Sequence, residues 1–144
     1  MWFKLIAILS VIALASAVPK CYNLEDEYTM QQNVKDQIVE KVLLYAPEKD
    51  IASISDYDCE LEKMAGKILE DPYKPIQFLD SIGIYPLVYS IEDTPGENMR
   101  VITHAALDDW KKYLKTIHFY TFGCNYRKEH TTHKYLCLFR HQAE

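Results

Sequence analysis

The sequence predicts a mixed fold of helices and sheet, α/β or α+β, with helices first and a β-hairpin last. Between Met30 and Leu114 three segments place apolar residues at helical spacing. Beyond Thr116 the period shortens to two, among β-branched and aromatic residues. No internal repeat or linker separates these parts, so one layered domain is expected.

Met1 to Ala17 reads as a secretory leader. Lys4 supplies the charged start, Leu5 to Leu14 an apolar run, and Ala15-Ser16-Ala17 a small-residue cleavage signal. The run is shorter than the roughly 20 apolar residues that cross a bilayer. The expected product is therefore residues 18–144, a secreted, extracellular protein without a membrane span.

The chain carries 16 Lys and Arg against 21 Asp and Glu, a net charge of −5. That balance gives no broad electrostatic footprint for nucleic acid or anionic lipid. A hydrophobic content of 49% excludes intrinsic disorder, and 4 Gly with 6 Pro exclude a collagenous chain.

In the first helical segment, Met30 to Tyr45, the stripe is Val34, Ile38, Val42 and Tyr45, and Pro47 ends it. Asp56 or Asp58 caps the second, whose stripe is Leu61, Met64, Ala65, Ile68 and Leu69, closed by Pro72. Neither helix has the lysine-rich opposite face of a lipid-binding helix. In residues 73–100, Ile82, Ile84, Leu87 and Val88 are interrupted by Gly83 and Pro86, which fits a short strand or an irregular buried segment equally. Thr94-Pro95-Gly96 is a turn signal, and Thr103 caps a third helix carrying Leu107, Trp110 and Leu114. The hairpin follows, Thr116 to Phe122 against Tyr135 to Phe139, with Asn125 to His133 as a long polar loop.

Cys21, Cys59, Cys124 and Cys137 all lie beyond the leader. In an oxidising compartment two disulfides are the default, and four cysteines allow three pairings. Tying Cys124 to Cys137, on the two hairpin arms, would contribute roughly 3 kcal/mol by loop closure.

Of the five histidines, His130 and His133 are three apart, but they read as solvated loop residues without a companion cysteine. Glu60, Glu62 and Asp108-Asp109 read as solvated helix faces. No GxSxG, P-loop or HExxH occurs, so spacing supports no enzyme.

Four segments, in order, resemble one family. Tyr57-Asp58-Cys59-Glu60-Leu61-Glu62-Lys63-Met64-Ala65 is similar to the second-helix signature of the hookworm secreted-protein, venom-allergen-like branch of the CAP superfamily (cysteine-rich secretory, antigen 5, pathogenesis-related type one). Gly96-Glu97-Asn98 matches its GEN segment. Ala105 to Leu114, with Trp110, resembles its A-x-x-x-W helix. Phe122-Gly123-Cys124 and Thr132 to Phe139 resemble its closing strands.

The resemblance implies an α-β-α sandwich with a small antiparallel sheet, shortened in the middle. It implies that Cys124 pairs with Cys137, and with it that Cys21 pairs with Cys59. Members carry two histidines and two glutamates around a central cleft able to hold a divalent metal. On this sequence the first histidine falls at Val42 and the second glutamate at Tyr113. Glu97 remains, and His118 is the one candidate for the last histidine. One carboxylate and one imidazole make a poor metal site, so no cofactor is expected. Burying Val42 and Tyr113 in place of ligands would give a drier, structural cleft.

The function expected is a non-catalytic secreted effector, a monomer acting through extracellular or host protein contacts. The alternative is a sterol or fatty-acid carrier, with Phe78, Tyr85, Tyr89, Ile82, Ile84 and Leu87 lining a pocket. A metal-dependent hydrolase is the third and weakest expectation.

Overall fold

The computed structural model describes residues 20–22, 24–47, 57–71, 73 and 76–141. The leader 1–17, Asp56 and Pro72 lie outside the described residues. Helix α1 (Gln32–Tyr45) buries Val34, Ile38, Val39 and Val42. Its last turn closes with Ala46 N–H on the Val42 carbonyl, directly before Pro47. Helix α2 (Cys59–Glu70) is capped by Asp58, whose carboxylate accepts the Glu60 amide at 2.9 Å. It buries Leu61, Ala65, Ile68 and Leu69. A single turn, α3 (Phe78–Ser81), buries Leu79.

The undecided segment is strand β1 (Ile84–Glu92). Pro86 fits there because β1 lies at the edge of the sheet, where a missing amide proton is tolerated. Helix α4 (Met99–Leu114) begins earlier than expected. Asn98, not Thr103, is the cap, its side chain accepting the Val101 amide at 3.0 Å. Thr103 lies one turn inside, fully buried, with its hydroxyl 2.8 Å from that of Tyr135.

The expected long loop is instead strand. β2 (Phe119–Glu129) and β3 (Thr132–His141) run on until only His130 and Thr131 connect them. His130 adopts φ 55°, a left-handed conformation that histidine accepts more readily than most side chains. No Asn-Gly signal marks this turn, and the polar residues before it are strand residues facing solvent or other elements.

The sheet order is β1-β3-β2, antiparallel throughout. Central β3 is covered on both faces. Tyr135, Cys137 and Phe139 join a core with α1 and α4, while Leu136 and Leu138 join another with α2 and α3. The architecture is thus an α-β-α sandwich. Trp110 ties α4 to the sheet by donating its indole N–H to the Val88 carbonyl at 3.3 Å.

Helix α2 lies almost on the backbone of β2. Asp58 N–H donates to the Phe122 carbonyl at 2.8 Å, and Tyr57 bridges Phe122 as a parallel partner. Gly123 makes this approach possible, since a Cβ there would stand 2.6 Å from Asp58 O, Glu62 N and Leu61 Cβ.

Cys21 is bonded to Cys59, and Cys124 to Cys137. The second bond joins directly paired residues of β2 and β3 with Cα atoms 4.0 Å apart, and both are wholly buried. Cys137→Ser is expected to lower stability by roughly 3 kcal/mol. Because Cys124 is inside the core, its freed thiol should react with a thiol reagent only as the protein unfolds. Labelling at native denaturant concentrations would contradict this.

Candidate functional site

The end of β1, the start of α4 and the tip of the hairpin surround an open polar groove of about 810 Å³. Asp93 lies just past β1, where its amide donates to Thr131 O at 2.6 Å. Its carboxylate takes an ion pair from Lys128 at 3.1 Å and faces His133 Nε2 at 3.0 Å. His133 is 3% exposed on β3, not a solvated loop residue. Its Nδ1 stands 2.6 Å from the Tyr126 hydroxyl, and the two rings stack with centroids 5.9 Å apart. A carboxylate only accepts, so Nε2–H donates to Asp93, and in the neutral ring Nδ1 accepts from Tyr126. Both imidazole nitrogens are therefore engaged. The His133 and Lys128 hydrogen bonds hold the Asp93 carboxyl below its ordinary value. Burial, then the Asp93 charge, raises the Tyr126 phenol.

Glu97 lines the same groove from the turn before α4. His118 does not join it. It is exposed just before β2, at the end of the strand opposite Tyr126 and Lys128. At about 3.3 Å per residue that separation is on the order of 25 Å. Val42 is fully buried in the core beneath α4, whereas Tyr113 is 41% exposed with Lys112 over its ring. Of the two residues expected to be buried, Val42 is, whereas Tyr113 faces outward on α4. Among the described residues no group of three His, Cys, Asp or Glu is placed to hold a metal ion. Of the four positions that the resemblance assigns, Val42 is aliphatic, Tyr113 is an exposed phenol, and His118 is absent from the groove that Glu97 lines.

A second polar cluster lies inside the molecule. Lys35 on α1 and Glu62 on α2, 1% and 0% exposed, form an ion pair at 3.1 Å. Glu62 also accepts from the Tyr57 hydroxyl and, at 3.4 Å, from the Met30 amide. The Lys35 ammonium lies 4.6 Å from the Tyr57 ring centroid and donates to Cys21 Sγ at 3.3 Å. Burial, then the Glu62 charge, pushes the Tyr57 phenol well above its ordinary value. Glu62 is therefore not a solvated face, unlike exposed Glu60. The signal was present: Lys35 is in phase with Ile38, Val39 and Val42, and Glu62 with Ala65 and Leu69.

A family model described as "Ancylostoma-associated secreted protein related" (ASPR) matches residues 21–139. The chain belongs to the ASPR family. This family is related to the CAP superfamily, the hookworm branch that the four segments resemble. No curated protein and no solved structure matches the chain.

In this ASPR chain the aromatic residues expected to line a lipid pocket do not converge. Ile84 faces the α2 side of the sheet, Leu87 and Tyr89 pack on the α4 side, and Phe78, Ile82 and Tyr85 are 39%, 52% and 39% exposed. No helix of the described residues is long and apolar enough to cross a membrane.

Asp93 is expected to make the ASPR groove acid-sensitive. Its folded value lies below the ordinary 3.8, so its contribution is present above that value and is lost as pH falls through the folded one. Asp93→Asn should flatten the decline of Tm between about pH 5 and pH 2. Parallel declines in both proteins would show that Asp93 contributes nothing there.

Proposed function

We propose that this ASPR chain is a secreted, non-catalytic protein that acts through contacts with extracellular or host proteins. In this reading residues 1–17 are removed and residues 18–144 act as one monomeric domain outside the cell. The observation that carries the proposal is the complete burial of Val42, the position of the family's first histidine, within the α1–α4 core. Where a polar ligand belongs there is packed hydrocarbon, so the scaffold works through its surface. The groove histidine fits the same reading, since both its nitrogens bond to neighbouring side chains.

Two measurements on the disulfide-bonded protein test this. Zinc titration by calorimetry is expected to show no stoichiometric site, and a one-to-one site of submicromolar affinity would restore a metal-centred function. Binding screens against serum and cell-surface proteins are expected to yield a saturable partner whose binding survives Glu97→Gln. Saturable uptake of a sterol or fatty acid, with no protein partner, would replace this proposal with the carrier function.

A further inference from the structure

The two disulfides sit in opposite surroundings. Cys124–Cys137 is sealed in the sheet, while Cys21 and Cys59 are both partly exposed. Cys59 is the first residue of α2, and Cys21 belongs to the segment leading to α1. Among the described residues, a buried cation touches Cys21 and not Cys59: Lys35 Nζ donates to Cys21 Sγ at 3.3 Å. The same ammonium is held from behind by Glu62 at 3.1 Å and by the Tyr57 ring.

We propose that Cys59 is a thiol-modification site, at which a small aliphatic thiol forms a mixed disulfide and expels Cys21 as a thiolate held by Lys35. The thiol first gives its proton to solvent. Its sulfur then attacks Cys59 Sγ, the Cys21–Cys59 bond breaks, and the electron pair of that bond stays on Cys21 Sγ. The incoming thiol is oxidised, Cys21 is reduced, and the number of disulfides is unchanged.

The direction of attack follows from the charges. Exchange is faster when the departing sulfur is the better-stabilised thiolate, and a cation in contact stabilises it. Cys21 has such a cation already in place. The carboxylate of Glu62 shares that pocket and offsets part of the Lys35 charge, while the Tyr57 hydroxyl and the Met30 amide draw its own charge away from Cys21. At Cys59 the helix N-terminus favours a thiolate, and the flanking Asp58 and Glu60 carboxylates oppose it. Those carboxylates also repel anionic reagents, so the site takes neutral or cationic thiols in preference to glutathione.

Opening this bond leaves the fold standing. The N-terminal segment keeps the Tyr28 hydroxyl on Glu70 at 2.8 Å and the Asn125 amide on Tyr28 O at 2.7 Å.

The test uses the intact folded protein, treated with cysteamine or with reduced glutathione, quenched with N-ethylmaleimide and mapped by peptide mass spectrometry. Cysteamine is expected on Cys59 and maleimide on Cys21, with Cys124 and Cys137 unlabelled. Cysteamine should react at least about tenfold faster than glutathione at equal thiolate concentration. Cysteamine on Cys21, equal loss of both disulfides, or no adduct short of unfolding would each overturn the proposal. A second readout isolates the role of Lys35. In Cys59→Ser the free Cys21 should alkylate with a pH midpoint below the ordinary thiol value of about 8.5. A midpoint at or above that value would remove the basis for Cys21 as the leaving group.

Discussion

Gly123→Ala is expected to cost about 3 kcal/mol and to lower Tm by on the order of 10 °C. The added methyl meets Asp58 O, Glu62 N and Leu61 Cβ, each at 2.6 Å. Two of the three are backbone atoms in the first turn of α2, so no rotamer change relieves the clash. The helix has to lift, and the Asp58 amide bond to Phe122 O is stretched with it. The lift also disturbs Glu62, which is fully buried and paired with Lys35. Thermal melting of the purified variant reads the effect directly. A Tm within a degree or two of the parent would mean that α2 does not approach β2 this closely.

The second large effect is expected at the buried ion pair. Lys35→Met keeps the apolar stem in place but leaves Glu62 charged and uncompensated at 0% exposure. Breaking such a pair from one side costs about 3–5 kcal/mol. Replacing both residues, in Lys35→Met with Glu62→Leu, removes the orphaned charge, and buried pairs exchanged for hydrocarbon are often neutral in stability. The double variant should therefore be more stable than Lys35→Met alone, although the Tyr57 hydroxyl then keeps only its contacts with the Cys124 backbone, to the carbonyl at 3.3 Å and from the amide at 3.4 Å. Urea midpoints at constant m-value measure the cycle. Equal losses in the single and the double variant would show that the pair is not energetically coupled.

The helices and the hairpin were legible because their signals are local. Val34, Ile38 and Val42 follow the helical period, and Asp58 is a short polar residue immediately before a stripe. Strand β1 was ambiguous because its partners on β3 lie 40 to 56 positions along the chain, and Pro86 is acceptable only once the strand is known to be an edge. The α4 start was misplaced because Asn98 and Thr103 both cap well, and only the 2.8 Å contact with Tyr135 explains a buried hydroxyl inside the helix. Asn125 reads as a loop residue, yet its amide donates to Tyr28 O and, at 3.1 Å, to Glu62 O. Those partners are set by tertiary contact, which composition does not encode.

At the site, Glu97 was found through the Gly96-Glu97-Asn98 segment, and it lines the groove. His133 was set aside because a histidine in a polar run resembles a solvated one. It stacks against Tyr126 on the neighbouring strand, a contact set by the register of the hairpin and not displayed by sequential spacing. Lys35 and Glu62 could have been noticed as charges in phase with apolar stripes. Their mutual pairing could not, since nothing local says which helices face each other.

The placement of β3 between both neighbours and beneath both helical layers has a consequence for biosynthesis. A chain emerging N-terminus first presents α1, α2, β1, α4 and β2 before Thr132 to His141 exists. Until that strand arrives, β1 has no hydrogen-bonding partner, and the two cores lack Tyr135, Cys137 and Phe139 on one face and Leu136 and Leu138 on the other. The sandwich is therefore expected to close late, around one strand, instead of growing stepwise from the start.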